Sequence, residues 1–378
     1  MNPSGALAHR MHIQVPVVRM PCLFLWASIG FMISILLTTL SHNIHHIHSC
    51  TQCMGRVAVT DGMPLTAVER LQDAGHEVVL QHFSPEELLS GVLSDFDAVV
   101  VRSATKMDSE SIHASKTESG GIGFIGRAGV GVDNIDLAAA SDCGVVVCNT
   151  PGASTRSVVE LTIGHLIASV RHIPKADRTL RSGEWAKKSL RGSELRGKRL
   201  GMVGFGRIAR GVGEVASALG MELHAFDPFI SSDVAESSHC TLHEGVDELF
   251  RLCTHISIHC NLSEETHHLV NSDRLALMGG VGADGTQCGN HIVNCARGGI
   301  VDEASVLSAL ESGQLSSAAL DVFEVEPPDG NSLLVHDGFH GSPHIGAATL
   351  EAQDRVGEEM AGLLVDYFNG KRPFSAIN

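Results

Sequence analysis

At residues 56–60, 77–81 and 97–101 the chain carries short apolar runs, while residues 66–74 and 85–93 space their apolar positions three and four apart. The first pattern belongs to strands buried on both faces and the second to helices with one apolar face, so the chain opens with a βαβ rhythm. The alternation continues downstream. Strands are expected at 122–126, 145–148, 200–203, 223–226, 255–259, 291–295 and 317–322. Helices are expected at 155–169, 176–183, 207–219, 246–250, 273–277, 303–312 and 348–369, several of them closed by glycines such as Gly75, Gly220 and Gly313. Such alternation predicts an α/β fold with two doubly wound parallel sheets and a cleft between them.

The densest pattern lies at residues 199–227, where an apolar run, the turn Gly204-Phe205-Gly206, a helical stretch, a second apolar run and Asp227 follow one another. A helix N-terminus preceded by glycines offers free N–H groups and a positive dipole end, and the missing side chains let a pyrophosphate approach the backbone. Ala209 stands where the third glycine of the G-x-G-x-x-G pattern is tolerated as alanine, because that position needs only a small side chain. Asp227 lies 23 residues after Gly204, at the spacing of a carboxylate that accepts the adenosine ribose hydroxyls and repels a 2′-phosphate. Together these features predict NAD as the cofactor, in preference to NADP.

Charge and composition narrow the partners. With 43 acidic against 27 basic residues the net charge is −16, which argues against nucleic acid. Residues 1–53 are expected to lie outside the folded core: Arg10 and Arg19 precede an uncharged, mostly apolar run at 20–41. That run is compatible with a signal anchor, an uncleaved leader, the start of an organelle-targeting sequence or an erroneous upstream start, and any membrane contact would be made through it. His42, His45, His46 and His48 with Cys50 and Cys53 follow it, and read as a polar linker with incidental histidines and cysteines; no metal is expected. The scattered remaining cysteines point to free thiols and a reducing compartment. The glycine-rich loop at 279–290 precedes a strand, which places it at the amino ends of the sheet, away from ligands.

Three polar residues stand downstream of the glycine turn at strand ends or loops: Arg297, Glu326 and His344. Moving a hydride from a secondary alcohol to a nicotinamide needs a base for the hydroxyl proton, which a histidine supplies near neutrality. His344 is the expected base, Glu326 the carboxylate that orients it and raises its pKa, and His340 the fallback. A 2-hydroxy acid also needs a cationic fork for its carboxylate, which Arg297 offers bidentately.

At these residues the sequence resembles the D-isomer-specific 2-hydroxyacid dehydrogenases across residues 55–378. The matching strings are VRSATK from Val101, GRAGVGVDNID from Gly126, NTPG from Asn149, VGFGRIAR from Val203, FDP from Phe226, VNCARGGIVDE from Val293, ALDVFEVEPP from Ala319 and PHIGA from Pro343. The resemblance implies Arg297, Glu326 and His344 as catalytic residues. Beside Gly204 and Gly206, it implies NAD contacts at Arg207 and Ile208 for the pyrophosphate, Asp227 for the ribose, Cys260 in the loop over the cofactor, Cys295 and Ala296 towards the nicotinamide, and Asp321 at the carboxamide. The substrate carboxylate is expected at the turn Gly129, Val130 and Gly131. In members with a phosphorylated substrate, Arg102, beside Ser103, and Arg127 match basic residues near the phosphate.

The implied layout is a flavodoxin-like substrate domain from 55–150 plus 345–378 and a Rossmann NAD domain from 151–344. The implied activity is oxidation of 3-phospho-D-glycerate to 3-phosphooxypyruvate by NAD, the first step of phosphorylated serine biosynthesis. The alternatives are a glyoxylate or hydroxypyruvate reductase, which needs no phosphate site, and a non-catalytic NAD(H)-sensing protein. The family also implies a homodimer or homotetramer, with Lys187 after Trp185 near the partner subunit. There are departures: Cys260-Asn261 replaces a threonine-proline type of pair, 279–290 is an insertion, and the C-terminal regulatory domains of many relatives are not expected in this chain.

Overall fold

Valine, isoleucine and alanine at successive positions leave the central strands without a polar face, so they are stable only in sheets covered on both sides. The computed structural model describes residues 54–118 and 120–378. The first sheet contains β1 (Arg56–Val59), β2 (Glu77–Leu80) and β3 (Ala98–Val101). A two-stranded antiparallel ribbon, β4 (Lys116–Thr117) and β5 (Gly120–Gly121), follows, and β6 (Phe124–Arg127) and β7 (Val146–Asn149) complete the sheet. Its order is β2-β1-β3-β6-β7, with every pairing parallel.

The second sheet is built from β8 (Arg199–Val203), β9 (Glu222–Phe226), β10 (Cys240–Leu242), β11 (His255–Ile258), β12 (His291–Asn294), β13 (Ser317–Leu320) and β14 (Phe339–Gly341). Its order is β10-β9-β8-β11-β12-β13-β14, again all parallel. Side chains alternate between two cores, one on each face. Ile292, Ala318 and Leu320 join the core that contains Leu249 and Phe250, whereas Val293 and Ala319 join the core built around Leu166, Phe205 and Val212. The first sheet divides in the same way: Val99 and Val101 belong to one core, and Ala98 and Val100 to the other.

The helix Leu350–Phe368 carries the chain back to the first sheet, where Val356, Met360 and Leu364 pack with Val57 and Phe124, and Glu358 pairs with Arg70 at 2.7 Å. Its start is set by Thr349, whose side chain accepts the N–H of Ala352. Residues 54–378 form one compact unit, so the two sheets share a cleft.

Several elements differ from the expectation. The helix expected at 85–93 is two pieces, Pro85–Leu89 and the 3₁₀ turn Val92–Asp95, because Gly91 takes the left-handed conformation (φ 83°) between them. Ser109–Ala114, Leu137–Asp142 and Ser232–Ser237 are helices too short to show a 3.6-residue period, although Asp108 and Asp136 cap the first two. Strand β14 has three residues and ends in Gly341, so it has no alternation to read. The apolar run at 20–41, the histidines behind it, Cys50 and Cys53 lie outside the described residues, among which no helix is long and apolar enough to cross a membrane. The seven described cysteines are free thiols. Burial pushes Cys240, Cys253 and Cys295 up to about 12, so they remain protonated.

The 279–290 loop sits at the amino end of β8, where Asp284 accepts from the buried Lys198 Nζ at 2.7 Å. The Lys198 hydrogen bond, helped by the Thr286 N–H, holds the Asp284 carboxyl down at about 2. A depressed carboxyl pKa stabilises the fold above the unfolded value of about 4, and that contribution is lost as the pH falls through the folded value. Asp284→Asn should therefore unfold at lower urea than the unaltered protein at pH 7, with the gap narrowing as the pH is lowered from about 4 to about 2. A gap independent of pH in a urea titration series would contradict this.

Candidate active site

Ligands of open parallel sheets bind beyond the carboxyl ends of the strands where the strand order reverses, here between β1 and β3 and between β8 and β11. A cleft of about 170 Å³ occupies this region and is lined from both sheets. Arg102, Ser103, Arg127, Gly129 and Val130 line it from the first sheet. The turn carrying Arg102 is braced on both sides: Asp61 accepts the Arg102 N–H at 2.6 Å and the Thr105 N–H at 3.1 Å, and Asn134 Nδ2 donates to the Arg102 carbonyl at 2.7 Å. Arg127 donates to Ser103 Oγ at 3.0 Å, and its Nε is buried without a partner. Among the described residues, neither Arg102 nor Arg127 forms an ion pair. Burial first, then the positive charges of Arg297 and Arg102, push the Arg127 guanidinium down to about 10, against the opposing pull of Asp133 and Asp61. An anion placed among these arginines would relieve that repulsion.

Ile208, Cys260, Cys295, Ala296, Arg297, Asp321 and His344 line the cleft from the second sheet. Arg297 departs from the free fork expected of it. Its Nε donates to Asp133 at 2.8 Å and its Nη1 to the Ala296 carbonyl at 2.7 Å, so only Nη2 has no protein partner. Asp133 takes the Nε edge of the fork, and bidentate recognition through Nε requires Asp133 to yield. Gly131 is not in the lining; it packs on Arg297, where an added Cβ would overlap the guanidinium, and a Cβ at Gly129 would overlap that of Arg127. These two glycines make room for the two arginines.

His344 Nδ1 lies 2.8 Å from Glu326 Oε2. A carboxylate at Nδ1 takes the ring N–H and leaves Nε2 as the basic nitrogen. Glu326 stands behind the histidine, outside the lining, and its Oε1 accepts the Phe323 N–H at 3.1 Å. Burial pushes the Glu326 carboxyl up, but the bonds from His344 and Phe323 and the charges of His344 and Arg297 outweigh it and hold the group below its ordinary value. His344 itself is in the left-handed conformation (φ 52°), rare for a residue with a side chain. Asp321 sustains it: the carbonyl accepts the His344 N–H at 2.8 Å, and the carboxylate accepts the N–H groups of Ile345 and Gly346 at 2.9 and 2.8 Å. The fallback His340 does not line the cleft; burial and the neighbouring His165 push it down to about 4.

Gly204, Gly206, Arg207 and Asp227 stand outside this lining, around the β8 turn. The expected clearance is divided between the two glycines. A Cβ at Gly206 would meet nothing within 4 Å, so the space beside the N-terminus of the helix Arg207–Ala218 is open. Gly204 (φ 88°) instead lets β8 and the end of β11 approach, since a Cβ would lie 2.8 Å from the Cys260 nitrogen. Asp227 braces the same turn, accepting the N–H groups of Phe205 and Phe229 at 2.8 and 2.9 Å, and each oxygen keeps acceptor capacity. Arg207 donates to the Pro151 carbonyl at 3.1 Å. The sequence patterns did not single out Asp61, Asp133, Ser154 or Gln353; Asp61 follows β1 at its carboxyl end, the same signal that marked Arg102 after β3.

The profile of the D-isomer specific 2-hydroxyacid dehydrogenase NAD binding domain matches residues 163–346. D-3-phosphoglycerate dehydrogenase of Methanocaldococcus jannaschii is 40% identical over 325 residues, covering 86% of this chain and 60% of that protein. The chain thus spans about 60% of the length of this relative. Hydroxypyruvate reductase of Thermotoga maritima is 41% identical over 309 residues, covering 81% of this chain and 95% of that one. The crystal structure of the TT0316 protein of Thermus thermophilus superposes with a TM-score of 0.76 at 31% identity, covering 85% of this chain and all of that one. With an NAD-binding half, a near-full-length relative at 41% identity and a shared two-sheet fold, the chain belongs to the D-isomer specific 2-hydroxyacid dehydrogenase family.

Proposed function

We propose that the chain oxidises 3-phospho-D-glycerate at C2 to 3-phosphooxypyruvate, with residues 151–344 holding NAD and residues 55–150 plus 345–378 holding the substrate. The observation that supports this most directly is the pair Arg102 and Arg127, which face the cleft without a carboxylate partner while the His344–Glu326 pair opens into the same space. A phosphate suits the first pair and a secondary alcohol the second.

Bound NAD supplies the hydride acceptor. In this scheme Arg297 takes the substrate carboxylate as Asp133 releases it, with help from the Gly129–Gly131 turn. Arg102 and Arg127 take the phosphate and so set the distance of C2 from His344. His344 Nε2 accepts the hydroxyl proton while Glu326 holds Nδ1 and stabilises the charge that develops on the ring. A second reading, reduction of hydroxypyruvate or glyoxylate, is favoured by the near-full-length coverage of the Thermotoga maritima reductase. As for assembly, Trp185 is 80% exposed, and with the exposed Leu180 it offers a surface for a second copy of the chain.

Steady-state kinetics separate the two readings. The protein should prefer 3-phospho-D-glycerate to D-glycerate, and Arg127→Ala should abolish that preference at a cost of about 2 to 4 kcal/mol, mainly in KM. Equal kcat/KM for both acids in the unaltered protein would favour the reductase. Glu326→Gln should lower kcat and move the rising limb of its pH profile to lower pH, since a carboxylate that the imidazole holds ionised favours the charged imidazole in return; an unmoved limb would detach Glu326 from the base. Asp227→Ser should lower the NAD/NADP ratio of kcat/KM by roughly tenfold or more and weaken both cofactors, because Asp227 also holds the Phe205 and Phe229 N–H groups. An unchanged ratio would remove Asp227 from the ribose.

A further inference from the structure

A partly buried hydrogen-bonded chain runs behind the loop that carries His344. It starts at His165 on the helix Thr155–Val170, which is 7% exposed and whose Nε2 lies 2.9 Å from Ser342 Oγ. Ser342 Oγ donates in turn to Asp321 Oδ1 at 2.6 Å. A serine hydroxyl has one proton to give, and here Asp321 receives it, so His165 Nε2 must be the donor in the first bond. That requirement fixes the His165 tautomer with its proton on Nε2. Burial, which lowers the His165 pKa more than Asp321 raises it, is consistent with a neutral ring. The ring of His340 packs against it with centroids 5.2 Å apart, and His340 Nε2 is buried without a partner.

The chain ends on the groups that set the active-site loop. Asp321 Oδ1 accepts from both Ser342 Oγ and the Ile345 N–H, Oδ2 accepts the Gly346 N–H, and the Asp321 carbonyl accepts the N–H of His344. Were His165 Nε2 an acceptor, the ring would compete with Asp321 for the Ser342 hydroxyl proton; with His165 donating to the oxygen, that proton is directed to Asp321. We infer that His165 is a positioning residue for His344: through Ser342 and Asp321 it holds the left-handed turn that aims the imidazole into the cleft. The inference rests on the proposal that His344 is the proton acceptor, and it assigns a task to a buried histidine on a helix remote in sequence from that loop.

Four proteins test it: His165→Leu, His165→Gln, Ser342→Ala and the double variant His165→Leu/Ser342→Ala. Leucine removes the donor, whereas the glutamine amide nitrogen can replace Nε2. Misplacing a reacting group by a fraction of an ångström costs rate more than binding, so His165→Leu should lower kcat by about 5- to 50-fold with KM for 3-phospho-D-glycerate changed less than about twofold. His165→Gln should recover most of the loss, and the double variant should be no slower than Ser342→Ala alone, since both lesions cut one chain.

Proton NMR supplies a readout that needs no turnover. The His344 Nδ1–H resonance, shifted downfield by its bond to Glu326, should broaden or vanish in His165→Leu and persist in His165→Gln. Unchanged kcat and resonance in His165→Leu, a glutamine variant as impaired as the leucine one, or additive losses in the double variant would each overturn the inference. If the leucine variant does not fold, Ser342→Ala must show the kcat loss and the NMR change alone, and their absence overturns it. An unaltered protein that turns over no 2-hydroxy acid would defeat the dehydrogenase proposal, while the NMR comparison would still judge the positioning role.

Discussion

The carboxylate of Asp321 is the constraint on which the active-site end of this protein depends. It is 1% exposed at the end of β13, and its bonds go to Ser342, Ile345 and Gly346, with its own carbonyl on His344. These residues form the stretch through which the chain leaves the seven-stranded sheet and returns to the five-stranded one as the helix Leu350–Phe368. One buried acid therefore fixes the crossing between the sheets and the direction of the histidine that faces the cleft. A buried carboxylate without such partners would be costly, so the turn and the acid stabilise each other.

The opposite wall is governed by repulsion. Arg102, Arg127 and Arg297 approach one another because glycines at 129 and 131 leave no side chain between backbone and guanidinium. Asp133, carried on the first-sheet turn, answers Arg297 on the second sheet with an ion pair at 2.8 Å. The cleft thus contains its own counter-charge, and a carboxylate entering it at Arg297 would replace a contact rather than create a new kind. A phosphate near Arg127 has no such competitor, since that residue has no carboxylate partner among the described residues and a buried Nε without a bond. Such an asymmetry favours ligands with two anionic groups at opposite ends.

Long elements were legible in the sequence because their periodicity extends over enough residues. The order from β8 to Asp227 and the apolar strands of both sheets follow from hydrophobic pattern and glycine placement alone. The sequence did not reveal β14, whose three residues show no alternation, or the broken helix at Gly91, where one backbone angle decides the outcome. Arg297, Glu326 and His344 stood out as residue types at strand ends, with Glu326 already paired to His344, but the partner of Arg297 did not. Asp133 is 164 residues from Arg297, and His165 is 177 residues from Ser342, so neither contact leaves a local spacing to detect. Asp227 shows the converse: its position was legible, but its bonds to Phe205 and Phe229 appear only once the turn is folded.

Hydride transfer from C2 is the step on which these geometric arguments converge, and isotope transfer tests it most directly. In a single turnover with NAD and 3-phospho-D-glycerate deuterated at C2, the reduced nicotinamide should carry one deuterium at C4, and His344→Ala should suppress its appearance on the order of 10² to 10⁴-fold while NADH still binds. Reduced cofactor without deuterium, or deuterium transfer at an unchanged rate in His344→Ala, would contradict a cleft built to remove hydride from C2 as His344 takes the hydroxyl proton.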